Sequence, residues 1–122
     1  LPVGMVSSAA SEQLQACRET LTATARLLRP GAACRELWQT ASSLLEQAGM
    51  GPLVHHAGHG LGLEHPEPPI LVSESTDELR VGDVVTLEPG CYREGVGGVR
   101  VENNYLITED GYEQLNETPG AC

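Results

Sequence analysis

Apolar residues recur at helical spacing in the first half of the chain. Within residues 11–28 they lie on one face of a predicted amphipathic helix: Leu14, Cys17, Leu21, Ala25 and Leu28. Proline and glycine follow at positions 30 and 31, and they favour a turn over further helix. The spacing therefore predicts a first helix over residues 11–28.

A second helix is predicted over residues 33–48. Its apolar residues form one stripe: Leu37, Ala41, Leu44 and Ala48. Gly49 follows the stripe and is predicted as the C-cap, because glycine adopts left-handed backbone angles readily. Neither predicted helix carries side chains with evident chemistry, so we interpret both as structural cover.

From position 51 onward, β-branched residues and turn signals replace the helical pattern. They predict strands over residues 84–88 and 99–108. Clusters of glycine, proline and acidic residues predict turns in four places: residues 67–69, 82–83, 97–98 and 110–111. Helices followed by antiparallel-type strands indicate an α+β fold, with the two helices packed on one face of a sheet.

Composition narrows the classes of partner. The 122-residue chain has a formal net charge of −10 at pH 7, and an acidic surface repels nucleic-acid backbones. No apolar run reaches the roughly 18 residues of a membrane span. We therefore expect neither nucleic acid nor a membrane as a partner.

The spacing of the cysteines indicates whether the protein resides in a reducing or an oxidising compartment. The four cysteines are dispersed, without a CxxC pair: Cys17, Cys34, Cys91 and Cys122. Such spacing is typical of neither a zinc ribbon nor a compact disulfide scaffold, and it favours reduced thiols. Residues 1–5 also lack the basic start and long apolar stretch of a signal peptide. We expect a cytoplasmic protein.

All four histidines lie within residues 55–65. His55 and His59 are four residues apart, but interspersed glycines argue against a helix there. A glycine on each side of His59 lets a backbone or a ligand approach closely, which suits a histidine that points into a site. Taken alone, the cluster is compatible with either a metal site or an incidental histidine-rich loop.

Two glutamates stand in strand patterns. Glu88 shares a strand face with Thr86 and precedes a Pro-Gly turn, and Glu102 shares a strand face with Arg100. A charge in a central strand is costly to bury unless it is paired or bound to metal. Individually, each glutamate is equally consistent with a strand end that meets solvent or with a cross-strand ion pair.

Three segments give these residues a recognisable order: residues 58–64 (GHGLGLE), 86–90 (TLEPG) and 98–102 (GVRVE). In order, spacing and the closing ITEDG at residues 107–111, the chain resembles the pita-bread metallopeptidase superfamily of aminopeptidase P, prolidase and methionine aminopeptidase. The nearest resemblance is to the Xaa-Pro peptidase branch. It implies a partial pita-bread fold, with residues 1–122 as the C-terminal part of a single catalytic domain.

The resemblance also implies a set of metal ligands. Family members hold two divalent ions with two aspartates, one histidine and two glutamates. By position, His59, Glu88 and Glu102 are the expected ligands in this chain, and Glu88 is also expected to shuttle a proton to the leaving amine. Manganese is the expected metal, with cobalt, zinc or iron as alternatives.

Further roles follow from the same resemblance. His55 matches a histidine that lines the family's substrate pocket, and Arg100 and Tyr92 match groups that orient the carboxylates. The family's second substrate histidine is replaced by Pro66, while His65 stands one position earlier. We expect His65 to act as the catalytic histidine only if a bulge restores its direction, because a one-residue shift reverses the face.

The two aspartate ligands are missing from the pattern. Asp77, Asp83 and Asp110 stand in loop or turn contexts, and turn formation accounts for them. We therefore expect a truncated portion of a longer enzyme whose aspartates lie upstream, and we expect this portion to be inactive alone.

The function implied by the resemblance is a dinuclear metal-dependent aminopeptidase or dipeptidase that hydrolyses the N-terminal bond of a peptide substrate, next to proline. Two alternatives stay open: a creatinase-like amidinohydrolase and a non-catalytic pita-bread binding module. Retention of all three expected ligands favours the metal enzyme over both. The oligomeric state is not decided, and a homo-oligomer of the full-length protein is compatible with the sequence.

Overall fold

The computed structural model describes residues 8–61, 67–116 and 120–121. These ranges contain two helices and seven strands: α1 (Ser8–Ala25), α2 (Cys34–Gln47), β1 (Gly58–Gly60), β2 (Glu67–Leu71), β3 (Val84–Leu87), β4 (Gly90–Arg93), β5 (Gly97–Thr108), β6 (Gly111–Gln114) and β7 (Gly120–Ala121). Two helices precede an antiparallel sheet, so the expected α+β class is confirmed. No helix in the described ranges is both long and apolar enough to span a bilayer.

Strand β5 is the centre of the sheet. The main path runs β2-β1-β3-β5-β4, and β6 and β7 also pair with β5. The register places Thr86 of β3 opposite Asn104 of β5, and Gly90 of β4 opposite Arg100. The two predicted glutamate segments therefore lie side by side in adjacent strands.

Alternation along β5 separates two faces of the sheet. Val101, Tyr105 and Ile107 are buried in the same aliphatic core as the helix residues Leu21 and Leu37. The alternate residues of β5, Glu102, Asn104 and Leu106, are half-buried and point to the other face. The helices thus cover one face, and the charged side chains predicted to do chemistry belong to the other.

The predicted helix ends differ from the observed ones. Helix α1 covers Ser8–Ala25 rather than residues 11–28, and it closes with hydrogen bonds of 3.0 Å from Leu27 N to Thr24 O and from Leu28 N to Ala25 O. Leu28 is buried all the same, at 2% exposure. Its apolar character therefore reflects packing from the turn after the helix and not a further helical turn.

The predicted stripe of α2 was partly wrong. Leu45 is fully buried, whereas Leu44 is half-buried and Ala48 is exposed, because the row of residues four apart from Leu37 faces the core. The helix ends at Gln47, Ala48 is its C-cap, and Gly49 follows with a φ of 82°. Gly49 is therefore the residue after the C-cap and supplies the left-handed conformation there.

Two predicted turns lie inside strands. Residues 67–69 belong to β2, an edge strand whose register against β1 pairs Ile70 with His59 and Glu67 with Gly60. Pro68 and Pro69 fall between these pairs, so the missing N–H groups of the prolines cost no ladder bond. The turn prediction was wrong because an edge bulge accommodates both prolines; the peptide bond between them is cis.

The second misplaced turn is that of residues 97–98, which begin β5. The hairpin between β4 and β5 turns at residues 94–96 instead. A Cβ added to Gly98 would lie 2.3 Å from the ring of Tyr92. Glycine at position 98 leaves room for that ring and does not form the turn.

Candidate metal centre

Two of the expected ligands, His59 and Glu88, lie side by side. His59 is the middle residue of β1 and Glu88 follows the last residue of the neighbouring strand β3. Glu88 N donates to Ala57 O at 2.7 Å, which joins the two segments. His59 Nε2 lies 3.6 Å from Glu88 Oε2, and each residue is 5% exposed.

The backbone orients the His59 ring. Nδ1 lies 2.8 Å from Gly60 O, and a carbonyl oxygen only accepts, so Nδ1 carries the proton and Nε2 presents its lone pair. A metal ion bound at about 2.0–2.2 Å by nitrogen and oxygen ligands places the ligating atoms roughly 3–3.6 Å apart. The spacing and the tautomer of His59 and Glu88 therefore fit two ligands of one divalent ion.

A hydroxyl that the sequence analysis did not assign joins the pair. His59 N–H donates to Thr86 Oγ1 at 3.1 Å, and Thr86 Oγ1 donates to Glu88 Oε2 at 3.0 Å. Thr86 was noted only as sharing a strand face with Glu88. That shared face was the available signal, because residues two apart on a strand point the same way.

The second oxygen of Glu88 faces basic groups. Oε1 lies 3.9 Å from Arg100 Nη1 and 3.7 Å from His56 Nδ1, so both approaches are electrostatic contacts longer than a hydrogen bond. Burial lowers the pKa of His56 below its ordinary value, and the nearby Glu88 carboxylate opposes that shift. Sequence reasoning missed His56, since no spacing rule separates it from its histidine neighbours.

Glu102 does not complete a three-residue cluster. It is half-buried on β5 and pairs across the sheet with Gly120 of β7. Among the residues that the structure describes, no three His, Cys, Asp or Glu side chains converge closely enough to hold an ion. The structure brings His59 and Glu88 together, and the role of Glu102 as a ligand stays a prediction.

His55 and Tyr92 meet beside this pair. Their rings are 5.7 Å apart in a T-shaped arrangement, and His55 Nδ1 donates to His56 O at 2.5 Å. Trp38 Nε1 donates to His55 O at 2.8 Å and holds the loop that carries both histidines. A Cβ on Gly90 would lie 3.0 Å from both His55 Nε2 and Tyr92 Oη. The two side chains converge over Gly90, and their roles in substrate and carboxylate contacts stay predictions.

The second expected substrate histidine cannot be placed. His65 and Pro66 lie outside the described residues. The catalytic role of His65 therefore also stays a prediction.

Comparison with known sequences identifies relatives of this chain. The sequence profile of metallopeptidase family M24 matches residues 1–109. A Staphylococcus epidermidis protein named an uncharacterized peptidase is 39% identical over 97 residues, which cover 79% of this chain and 28% of that protein. The chain thus spans less than a third of that relative's length.

Comparison with solved structures shows the same fold. The prolidase from Pyrococcus furiosus matches with a TM-score of 0.89 and 34% identity, over 97% of this chain and 35% of its own. The Xaa-Pro dipeptidase from Bacillus anthracis matches with a TM-score of 0.86 and 32% identity, over 93% of this chain and 32% of its own. The expected partial pita-bread fold is confirmed, while the expected C-terminal position within a larger domain stays a prediction.

Proposed function

The chain belongs to metallopeptidase family M24, and from that premise we propose that it carries part of the active site of a metal-dependent exopeptidase. In this proposal a longer parent chain removes the N-terminal residue of a peptide, with a preference for an Xaa-Pro bond. The substrate is a peptide and the cofactor is a pair of divalent ions. The observation that supports the proposal best is the buried His59–Glu88 pair, 3.6 Å apart.

The ligand chemistry of the pair suits a divalent ion. His59 would bind through Nε2, and Glu88 and Glu102 through carboxylate oxygens, a mixed nitrogen and oxygen set that manganese, cobalt, zinc and iron all accept. We propose manganese, with the other three as alternatives. When bound, such ions would supply Lewis-acid chemistry, polarising a scissile carbonyl and lowering the pKa of a water.

The chain's own residues would do the remaining work. Arg100 Nη1 lies 3.9 Å from Glu88 Oε1 and would help to orient that carboxylate. A charged Glu88 can take up a proton at Oε1 and pass it to the leaving amine. His55 and Tyr92 converge over Gly90; in this proposal His55 would contact the substrate and Tyr92 would help to orient the carboxylates.

We propose that the 122-residue chain is inactive alone. Two of the expected ligands approach each other in the described residues, and two divalent ions need more donors than that pair supplies. The proposal places the two aspartates in a longer parent chain. It also places the protein in the cytoplasm, which rests on the dispersed cysteines.

The test compares two proteins against an Xaa-Pro dipeptide in the presence of manganese. The longer parent chain is expected to turn over the substrate, to lose activity on chelation and to regain it when manganese is restored. The 122-residue chain is expected to show no turnover. Glu88→Gln in the parent is expected to abolish activity, because it removes a ligand charge and the proton-carrying group together.

Four outcomes would overturn parts of the proposal. Turnover by the 122-residue chain would show that it is not inactive alone. Parent-chain activity that survives chelation would exclude a metal mechanism. Peptide binding without turnover would point to the binding module, and hydrolysis of creatine in place of the dipeptide would point to the amidinohydrolase.

A further inference from the structure

A side-chain hydroxyl takes part in the hydrogen bonds that join β1 to β3. On either side of it the two segments are joined by backbone hydrogen bonds of 2.7 Å: Leu61 N to Val84 O, and Glu88 N to Ala57 O. Between these bonds, His59 N–H donates to the Thr86 hydroxyl at 3.1 Å. The side chain of Thr86 therefore joins β3 to the backbone of the residue that carries an expected metal ligand.

Close packing fixes Thr86 at this junction. A Cβ on Gly58 would lie 1.8 Å from Thr86 O, so the β1 backbone presses against β3 at this point. Thr86 is 1% exposed and has little room to take another position. The hydroxyl is consequently held by the packing of both strands.

A threonine hydroxyl has one proton and can accept at its lone pairs. At Thr86 the proton goes to Glu88 Oε2 at 3.0 Å, and a lone pair accepts the His59 N–H at 3.1 Å. Through one atom, the hydroxyl thus fixes the backbone of one expected ligand and the carboxylate of the other. It also turns Glu88 Oε1 toward Arg100.

We propose that Thr86 is the positioning residue that holds His59 and Glu88 at ligand spacing before any ion binds. It touches neither ion nor substrate and acts only through these two residues. The inference rests on the proposed function in that His59 and Glu88 are taken as metal ligands. Groups that orient metal ligands in this way commonly contribute about 10–100-fold to metal affinity.

The test uses three variants of the 122-residue chain. Thr86→Val keeps the shape of the side chain and removes the hydroxyl, and Thr86→Ser keeps the hydroxyl. Thr24→Val is the matched control, because Thr24 is 2% exposed on α1 and its hydroxyl has no hydrogen-bond partner among the described residues. Circular dichroism and thermal unfolding establish that each variant is folded before binding is measured.

The first measurement is Co²⁺ affinity by titration calorimetry. Thr86→Val is expected to weaken binding by about 10–100-fold, Thr86→Ser to restore it, and Thr24→Val to leave it unchanged. Rescue by serine separates a role of the hydroxyl from a general packing effect. Equal affinity of Thr86→Val and the wild type would overturn the inference.

The second measurement needs no metal and follows amide hydrogen exchange by NMR. In Thr86→Val the His59 amide loses the hydroxyl acceptor and is expected to exchange faster, while the Leu61 amide keeps its backbone partner and its protection. If the wild-type 122-residue chain binds no Co²⁺, its own ligands do not hold an ion without the parent chain's aspartates, and His59 exchange alone decides whether Thr86 positions the pair. Unchanged His59 exchange in Thr86→Val would overturn the positioning role.

Discussion

On the helix-covered face of the sheet, Val85 and Val101 are completely buried among aliphatic side chains. On the opposite face, Thr86 and Glu88 are also buried, with exposures of 1% and 5%, but their neighbours are polar side chains. The two faces reach similar burial by different means. An aliphatic side chain needs only the right volume, but a buried carboxylate needs specific partners to offset its desolvation. The helix-covered face should therefore respond to changes of volume and the other face to changes of chemistry.

The largest expected effect is the loss of a core side chain on the helix-covered face. Leu87 is 1% exposed and belongs to the core, so Leu87→Ala is expected to lower the free energy of unfolding by about 2–5 kcal/mol. Urea denaturation measures the change. Val54→Ala, at a site that is 71% exposed, should stay within about 0.5 kcal/mol. Equal losses in the two variants would contradict the volume argument.

The next effect concerns the close approach of β1 to β3. Gly58→Ala puts a Cβ against the backbone oxygen of Thr86, which cannot move without shifting a strand, so we expect a loss of about 1–3 kcal/mol. Gly98→Ala meets the Tyr92 ring instead, and Tyr92 is 49% exposed and free to swing. Urea unfolding should rank Gly58→Ala as clearly more damaging. The reverse ranking would mean that the strands are not fixed against each other at Thr86.

A smaller effect is expected in the loop that brings histidines to the polar face. Trp38→Phe removes the indole donor to His55 O and should lower the free energy of unfolding by about 0.5–1.5 kcal/mol. Thermal unfolding with Gln39→Ala as the control, an exposed site on the same helix, measures the difference. If the two variants unfold alike, the Trp38 bond contributes nothing to holding the loop.

The effect that is smallest at neutral pH is a pH dependence that originates in the core. Burial, followed by the charges of Asp77, Asp83 and Glu78, raises the pKa of the Cys34 thiol from 9.0 to about 12. The unfolded thiol loses its proton first, so stability from this group is complete below pH 9.0 and is lost as the pH rises toward about 12. Urea unfolding across that window should show a shallower decline for Cys34→Ala than for the wild type. Identical slopes would show that Cys34 does not ionise on unfolding.

The sequence predicted the layered architecture because both helices and the long strand carry clear periodicity. It missed β1, β4, β6 and β7, which contain two to four residues each and include glycine. Segments this short have no periodic pattern of their own, and their strand conformation comes from pairing with β2, β3 and β5. The end of the first helix was predicted too late, at Leu28, for a related reason. Leu28 is buried from the turn that follows the helix, and an apolar residue in the sequence does not show whether it lies in a helix or in a turn.

In the candidate site, too, some contacts were predictable from the sequence and others were not. The approach of His59 to Glu88 was expected from the order of the glycine-flanked segments, and the structure places the two side chains together. Thr86 was available from strand alternation but was not assigned a role. The approach of His56 to Glu88 depends on the path of a loop, which local sequence does not determine. The convergence of Glu102 with this pair was expected, and in the described residues no three-residue cluster forms.

The contacts between α1 and the strands of the β4–β5 hairpin have a consequence for synthesis of the chain. Gln13 donates to Gly97 O across 84 residues of sequence, and the Cys17 and Cys91 sulfurs meet across 74. Such distant pairings make folding slow, because the chain must close large loops before these contacts form. On the ribosome, α1 emerges long before its partner strands and must keep its apolar face from aggregating until they arrive.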